Sequence, residues 1–232
     1  MAIKAVFFDV GNTLMHFNYA TLARCIPELQ VEQLEKSGPR AWKKLNDVLE
    51  KARIEGTHVD VLRWLFKELL HELGQPALIE ELIEKTNTES LWNSINYDAR
   101  EAICGLKAEG ISTAVISNAD GKVQALLEDN GWAGTFDFVI DSGLVGVSKP
   151  SVDIFNIGLD KAGLDASQVL YVGDLPAVDV YGAQAAGLSP VLYDPHDQYD
   201  AHWCANTRHD LRDYHRITHM NQLVPLVSLL NG

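Results

Sequence analysis

Two apolar rhythms divide the chain. Ile3, Ala5, Val6, Phe7 and Phe8 form a short, nearly unbroken apolar run. Such a run suits a strand buried on both faces of a parallel sheet. The same pattern returns at 112–117 (STAVIS), 136–140, 169–172 and 190–193. Helical periodicity fills the gaps at 97–109, 122–130, 151–163 and 177–186, with a closing helix at 220–230. Gly110 and Gly187 stand where C-caps are expected. Strand and helix alternating at this spacing predict right-handed crossovers and a parallel sheet, hence a three-layer, Rossmann-like α/β core.

Between the first two strands the rhythm is helical alone. Stretches at 21–29, 31–55, 59–73 and 77–86 are predicted helices. In the third, Val61, Leu62, Leu65, Phe66, Leu69 and Leu70 recur every three or four residues, marking one buried face. Gly38-Pro39, Gly56-Thr57 and Gly74-Gln75-Pro76 are expected to be turns, and no strand is expected between Leu14 and Arg100. The predicted organisation is a core of residues 1–15 and 97–232 with a helical domain, 16–96, inserted after the first strand.

Composition narrows the function classes. At 232 residues the chain is long enough for a large core carrying a smaller domain. The net charge of −13 argues against nucleic acid or an anionic membrane as partner, because both require a basic face. An anionic substrate must then be drawn by local charge or a bound metal. Cys25, Cys104 and Cys204 are odd in number and widely spaced, which fits free thiols in a reducing compartment. The first apolar run is short, holds Lys4 and ends in an acid, unlike a signal peptide. No stretch reaches the length of a membrane span. The expected location is the cytoplasm.

Polar residues gather where the strands stop. Asp9 ends the first and is followed by Gly11-Asn12, residues that tolerate unusual backbone angles. Ser117-Asn118 end the second strand and Gly173-Asp174 the fourth, with Asp179 five residues on. Lys149-Pro150 precede the helix after the third strand. Parallel strands present one common end, where α/β proteins bind their ligands. Carboxylates converging there repel one another, so a divalent cation is the natural neutraliser. Oxygen ligands and a phosphate-binding role suit Mg²⁺. Taken singly, Ser117, Asp174 and Asp179 also fit helix caps, and Lys149 fits an exposed loop.

Together the four segments resemble the signature motifs of the haloacid dehalogenase-like (HAD) hydrolase superfamily. They are FFDVGNTL with Asp9, VISNAD with Ser117, VGVSKPSVDIF with Lys149, and VGDLPAVDVYGAQAAG with Asp174 and Asp179. The inserted helices resemble the family's type 1 α-helical cap. The resemblance implies that Asp9 is a nucleophile forming an aspartyl-phosphate intermediate. It implies that Ser117 and the Asn118 backbone bind a phosphoryl oxygen, and that Lys149 offsets charge on Asp9 and the phosphoryl group. It implies that Asp9, Asp174 and the Gly11 carbonyl hold Mg²⁺, with Asp179 as ligand or close support. The substrate expected is a small phosphorylated metabolite, enclosed by a closing cap.

One position departs from the pattern. Phosphatases of this family usually carry a second aspartate two residues after the nucleophile, serving as acid and base; here that residue is Gly11, followed by Asn12. Positioned acid–base catalysis contributes about 10²–10⁴ in rate. Three readings follow: a phosphatase restricted to good leaving groups such as acyl or aryl phosphates, replacement by another group such as His16, or a catalytically weak or inactive module binding Mg²⁺ and a phospholigand. A 2-haloacid dehalogenase type of hydrolase is a further alternative, because halide needs no proton donor, although the full acidic set speaks for metal-dependent chemistry. The family's phosphonate-cleaving branch uses a cap lysine, to which no lysine here is matched.

In the helical insertion, Arg40, Lys43, Lys44 and Arg53 fit a solvated face better than a substrate site. Trp42 and Trp64 fit a core better than a pocket. Residues 196–219 hold five of the eight histidines, but the spacing matches no zinc pattern, so a polar surface excursion is expected.

Overall fold

The computed structural model describes residues 2–86, 90–199 and 214–232. The chain divides into two compact units, Met1–His16 with Ile95–Gly232, and Phe17–Ser94.

The first unit is built on a parallel sheet in which β1 (Ala5–Phe8) is central. β4 (Ser112–Ser117) and β5 (Val139–Asp141) lie to one side. β6 (Val169–Gly173), β7 (Ser189–Tyr193) and β8 (His215–Ile217) lie to the other, giving the order β5-β4-β1-β6-β7-β8. Every pairing in it is parallel. Phe8 stands opposite Val115 and Val172, so β1 delivers its end between those of β4 and β6.

Helices flank this sheet. On one face Phe7, Ile116, Ile140 and Tyr171 pack with Ile154 and Phe155 of α8 (Val152–Ala162) and Ala183 of α9 (Tyr181–Ala185). Gly158 permits that approach, since a Cβ there would stand 2.9 Å from the Ile116 Cδ1 atom. α5 (Tyr97–Ala108) packs on β4, and its Gly105 lies against Val224 of α10 (Leu223–Asn231). Short helical turns, α6 (Val123–Leu127) and α7 (Ser142–Val145), complete the crossovers beside β5.

The second unit holds α1 (Tyr19–Cys25), α2 (Val31–Glu55), α3 (Val61–Glu72) and α4 (Ile79–Thr86). Its core includes Leu22, Ile26, Leu34, Leu65, Phe66, Leu69, Leu70 and Leu82. Phe17 packs on Tyr19, Trp42 and Trp92, with ring centroids 5.1–5.8 Å apart. Trp42 therefore belongs to the core. Lys44 pairs with Glu68 and Glu72, Arg40 with Glu72, and Arg53 with Glu50, so these cations are engaged within the helical unit.

Three sequence expectations are corrected. Gly38-Pro39 is no turn: both residues lie inside α2, where Gly38 admits the Tyr19 hydroxyl that a Cβ would overlap at 1.9 Å. Strands do occur between Leu14 and Arg100. β2 (Met15–Phe17) and β3 (Trp92–Ile95) pair as a two-stranded sheet, each too short to show alternation. β8 adds a strand inside the histidine-rich segment, where three residues, His215–Ile217, carry too little apolar signal. Residues 200–213, including Cys204, Asp210 and Asp213, lie outside the described residues.

Candidate active site

The turn after β1 is wound around one carbonyl. Val10 accepts hydrogen bonds from the Thr13, Leu14 and Met15 N–H groups at 2.9–3.3 Å, and the Asn12 N–H donates to the Met15 carbonyl at 2.7 Å. Asn12 takes a left-handed backbone, φ 52°, which asparagine tolerates better than most residues. Its side-chain amide donates to Asp174 Oδ2 at 3.3 Å. Asp9 stays in the ladder, its N–H donating to the Val172 carbonyl at 2.8 Å, which fixes the carboxylate at the strand end.

The Lys149 ammonium occupies the centre. Its Nζ donates to Asp9 Oδ1 at 2.5 Å, Asp179 Oδ1 at 2.7 Å and the Tyr171 hydroxyl at 2.8 Å. The Lys149 side chain is 2% exposed, so bulk water does not screen these contacts. The Asn118 amide brackets the lysine backbone: its Oδ1 accepts from the Lys149 N–H at 2.8 Å, and its Nδ2 donates to the Lys149 carbonyl at 2.9 Å. The Lys149–Pro150 peptide is cis.

Asp179 reaches this point because β6 ends in glycine. A Cβ on Gly173 would lie 2.3 Å from Asp179 Cγ. The other oxygen of Asp179 accepts from the Leu175 N–H at 3.0 Å, so both its oxygens are engaged. Asp141, buried at the end of β5, accepts from the N–H groups of Gly121, Val123 and Gly143 and thereby ties down the loop after Ser117. Ser117 is buried at the end of β4, beside β1.

Asp9, Asp174 and Asp179 each offer an oxygen within 4.8 Å of the others. One ammonium cannot balance three carboxylates. Burial pushes the Asp9 carboxyl up from an ordinary 3.8 to about 6, against the pull of Lys149 and with the push of Asp179. Burial, Asp179 and Asp9 also drive Asp174 well upward, Asn12 and Lys149 opposing. Burial opposes the charge on Lys149, yet Asp179 and Asp9 outweigh it and raise its pKa. Buried carboxylates under mutual repulsion are a donor set suited to a hard divalent cation. Asp179 is already committed through both oxygens, to Lys149 and to the Leu175 N–H.

The sequence candidates Asp9, Gly11, Ser117, Asn118, Lys149, Asp174 and Asp179 all lie in the first unit, at or just beyond the carboxyl ends of β1, β4, β5 and β6. Asn118 was expected to contribute its backbone; its side chain has the separate task of holding Lys149. Sequence reasoning passed over the amide of Asn12 and the hydroxyl of Tyr171. His16 lies on β2, and burial with the nearby His196 lowers its pKa, Asp98 opposing.

A sequence profile of the haloacid dehalogenase-like hydrolases matches residues 3–187. A ribulose-1,5-bisphosphate 5-phosphatase of Halopiger xanaduensis is 34% identical over 137 residues, 58% of this chain and 57% of that protein. The haloacid dehalogenase-like hydrolase domain-containing protein 3 of Bos taurus is 24% identical over 248 residues, covering 100% of this chain and 96% of that one. Among solved structures, the magnesium-bound HAD-hydrolase YfnB of Bacillus subtilis aligns with a TM-score of 0.70. Its identity is 21%, over 98% of this chain and 99% of that one, a likeness of fold.

Proposed function

The chain belongs to the haloacid dehalogenase-like hydrolase family, and from that membership we propose that it is a Mg²⁺-dependent phosphatase of a small phosphorylated metabolite. The observation that carries this reading is the Asp9 carboxylate, held 2.5 Å from the Lys149 ammonium with Asp174 and Asp179 alongside. The 34% identity to a sugar-bisphosphate phosphatase supports the substrate class.

In this reading Asp9 attacks phosphorus in line with the leaving oxygen, giving an aspartyl-phosphate that water then hydrolyses. Lys149 meets the charge gathering on the phosphoryl oxygens from a position fixed before substrate arrives, which is where preorganised electrostatics act most strongly. Ser117 and the Asn118 N–H bind a phosphoryl oxygen at the end of β4. Asp9, Asp174 and the Gly11 carbonyl would hold Mg²⁺, with Asp179 in support through Lys149. Bound there, Mg²⁺ would screen the carboxylates from the incoming phosphate and supply Lewis-acid polarisation. No carboxylate stands at position 11 to protonate the leaving group, so the favoured substrates are those whose leaving groups depart without help, acyl and aryl phosphates among them. The helical unit is read as the cap that sets substrate choice.

Phosphate release from acetyl phosphate and an aryl phosphate tests this, in Mg²⁺ and in chelator, for the wild type and Asp9→Asn. Mg²⁺-dependent turnover lost in Asp9→Asn is expected. Turnover that survives either change refutes the mechanism, and halide release from a 2-haloacid in chelator would replace it with dehalogenase chemistry.

A further inference from the structure

β6 reads Val-Leu-Tyr-Val-Gly, and its tyrosine is fully buried in the middle of a parallel sheet. A phenylalanine would fill that space without a hydroxyl to satisfy. Tyr171 already has its packing partner, the Phe155 ring edge-on at 5.0 Å and 79°. Its hydroxyl therefore has to be explained by what it bonds. It accepts from Lys149 Nζ at 2.8 Å, and its one proton faces both the Ile116 carbonyl at 3.0 Å, one residue before Ser117, and Asp179 Oδ1 at 3.3 Å.

An ammonium has three N–H groups. Two go to Asp9 and Asp179, and the phenol takes the third. Both other partners are carboxylates, so without the phenol the ammonium is free to tip toward either. The third acceptor fixes its rotation. A phenol is neutral at ordinary pH, so it accepts a hydrogen bond from Lys149 without drawing off its charge. Through Ile116 it also ties the lysine to the strand that delivers Ser117.

We infer that Tyr171 is a positioning residue, which through its hydroxyl holds the Lys149 ammonium against the Asp9 nucleophile and in register with the end of β4. This rests on the phosphatase reading for its kinetic consequence, but the placement of Lys149 is testable without turnover.

Tyr171→Phe keeps the ring and its contact with Phe155, so the fold survives. On acetyl phosphate, kcat is expected to fall about tenfold with KM changed less than about twofold, the pattern of a contact that matters in the transition state. The same substitution in a Lys149→Ala background is expected to change the residual rate less than about twofold, because the two residues act as one unit. An unchanged kcat, or equal losses in both backgrounds, overturns the inference. The side-chain ammonium resonance of Lys149, followed by ¹⁵N NMR in the wild type and Tyr171→Phe, gives the second readout. A shifted and broadened resonance in the variant is expected, and an unchanged one overturns the inference whatever the kinetics. A wild type inert toward every phosphate tried would count against the phosphatase reading, and the resonance would then decide the role of Tyr171 alone.

Discussion

Replacing Asp9 by asparagine removes a charge that its surroundings oppose. Burial raises the Asp9 pKa from 3.8 to about 6, so in the metal-free protein the native state holds this proton more tightly than the unfolded chain does. The sign follows from linkage: the native state binds more protons between those values, so stability falls as pH rises through them. A pKa raised from 3.8 to about 6 corresponds to about 3 kcal/mol at pH 7, shrinking to roughly 0.5 kcal/mol at pH 4, where the native carboxyl is protonated and the unfolded one is about half so. Asparagine imitates the protonated acid, since its Oδ1 still accepts from Lys149. Asp9→Asn in chelator is therefore expected to be more stable than the wild type at pH 7 by up to about 3 kcal/mol, with the gap closing toward pH 4. Urea unfolding of both proteins across pH 4–7, in chelator and in Mg²⁺, measures this. With Mg²⁺ the gap should shrink or reverse, because a cation bound to the carboxylate stabilises the wild type by mass action. An asparagine variant less stable at pH 7 without metal would refute the reasoning, for attraction to Lys149 would then exceed the cost of burial.

Two further substitutions probe the turn and the lysine. Gly11 is not among the glycines at positive φ, so a side chain there meets no left-handed backbone strain. Gly11→Asp is expected to raise kcat on alkyl phosphates by about 10²–10⁴ while changing acetyl phosphate turnover little, a ratio that steady-state phosphate release measures directly. Asn118→Ala leaves the N–H and carbonyl of Lys149 without their side-chain partners, costing about 1–3 kcal/mol. Its kcat/KM is expected to fall at least tenfold, and a variant matching the wild type in both melting temperature and kcat/KM would show that the bracket is idle.

The central sheet was legible because burial on both faces writes itself as an unbroken apolar run. β1, β4, β6 and β7 are such strands, and their ends are where Asp9, Ser117 and Asp174 were sought. β2, β3 and β8 were not legible, because three or four residues show no period and their pairing comes from the chain passages around them. Gly38-Pro39 misled because glycine and proline are read as breakers, whereas here the missing Cβ is what lets Tyr19 pack against α2. Within the site, charged residues were visible and their neutral supports were not. Asp9 or Lys149 in a strand-end context demands a chemical explanation. Tyr171 looks like one more aromatic in a buried strand, and only its hydroxyl contacts, among them Lys149 at 2.8 Å, separate it from a core residue.

The Gly11-Asn12 pair is better understood as an exchange than as a loss. Three carboxylates already face one ammonium, and a fourth at position 11 would add to the repulsion that raises Asp9 and Asp174. Asn12 contributes the opposite, a neutral donor 3.3 Å from Asp174 that favours its charged form. A left-handed position admits asparagine or glycine most readily, and only asparagine brings that donor. In the proposed mechanism the turn gives up a proton relay and gains a better-tempered anionic site. In that mechanism the cost falls on substrates whose leaving groups need a proton. It follows that Gly11→Asp should lower metal-free stability in the same protein that gains activity on alkyl phosphates. A variant that gains the activity at no cost in stability would show that electrostatic crowding is not what keeps a carboxylate away from position 11.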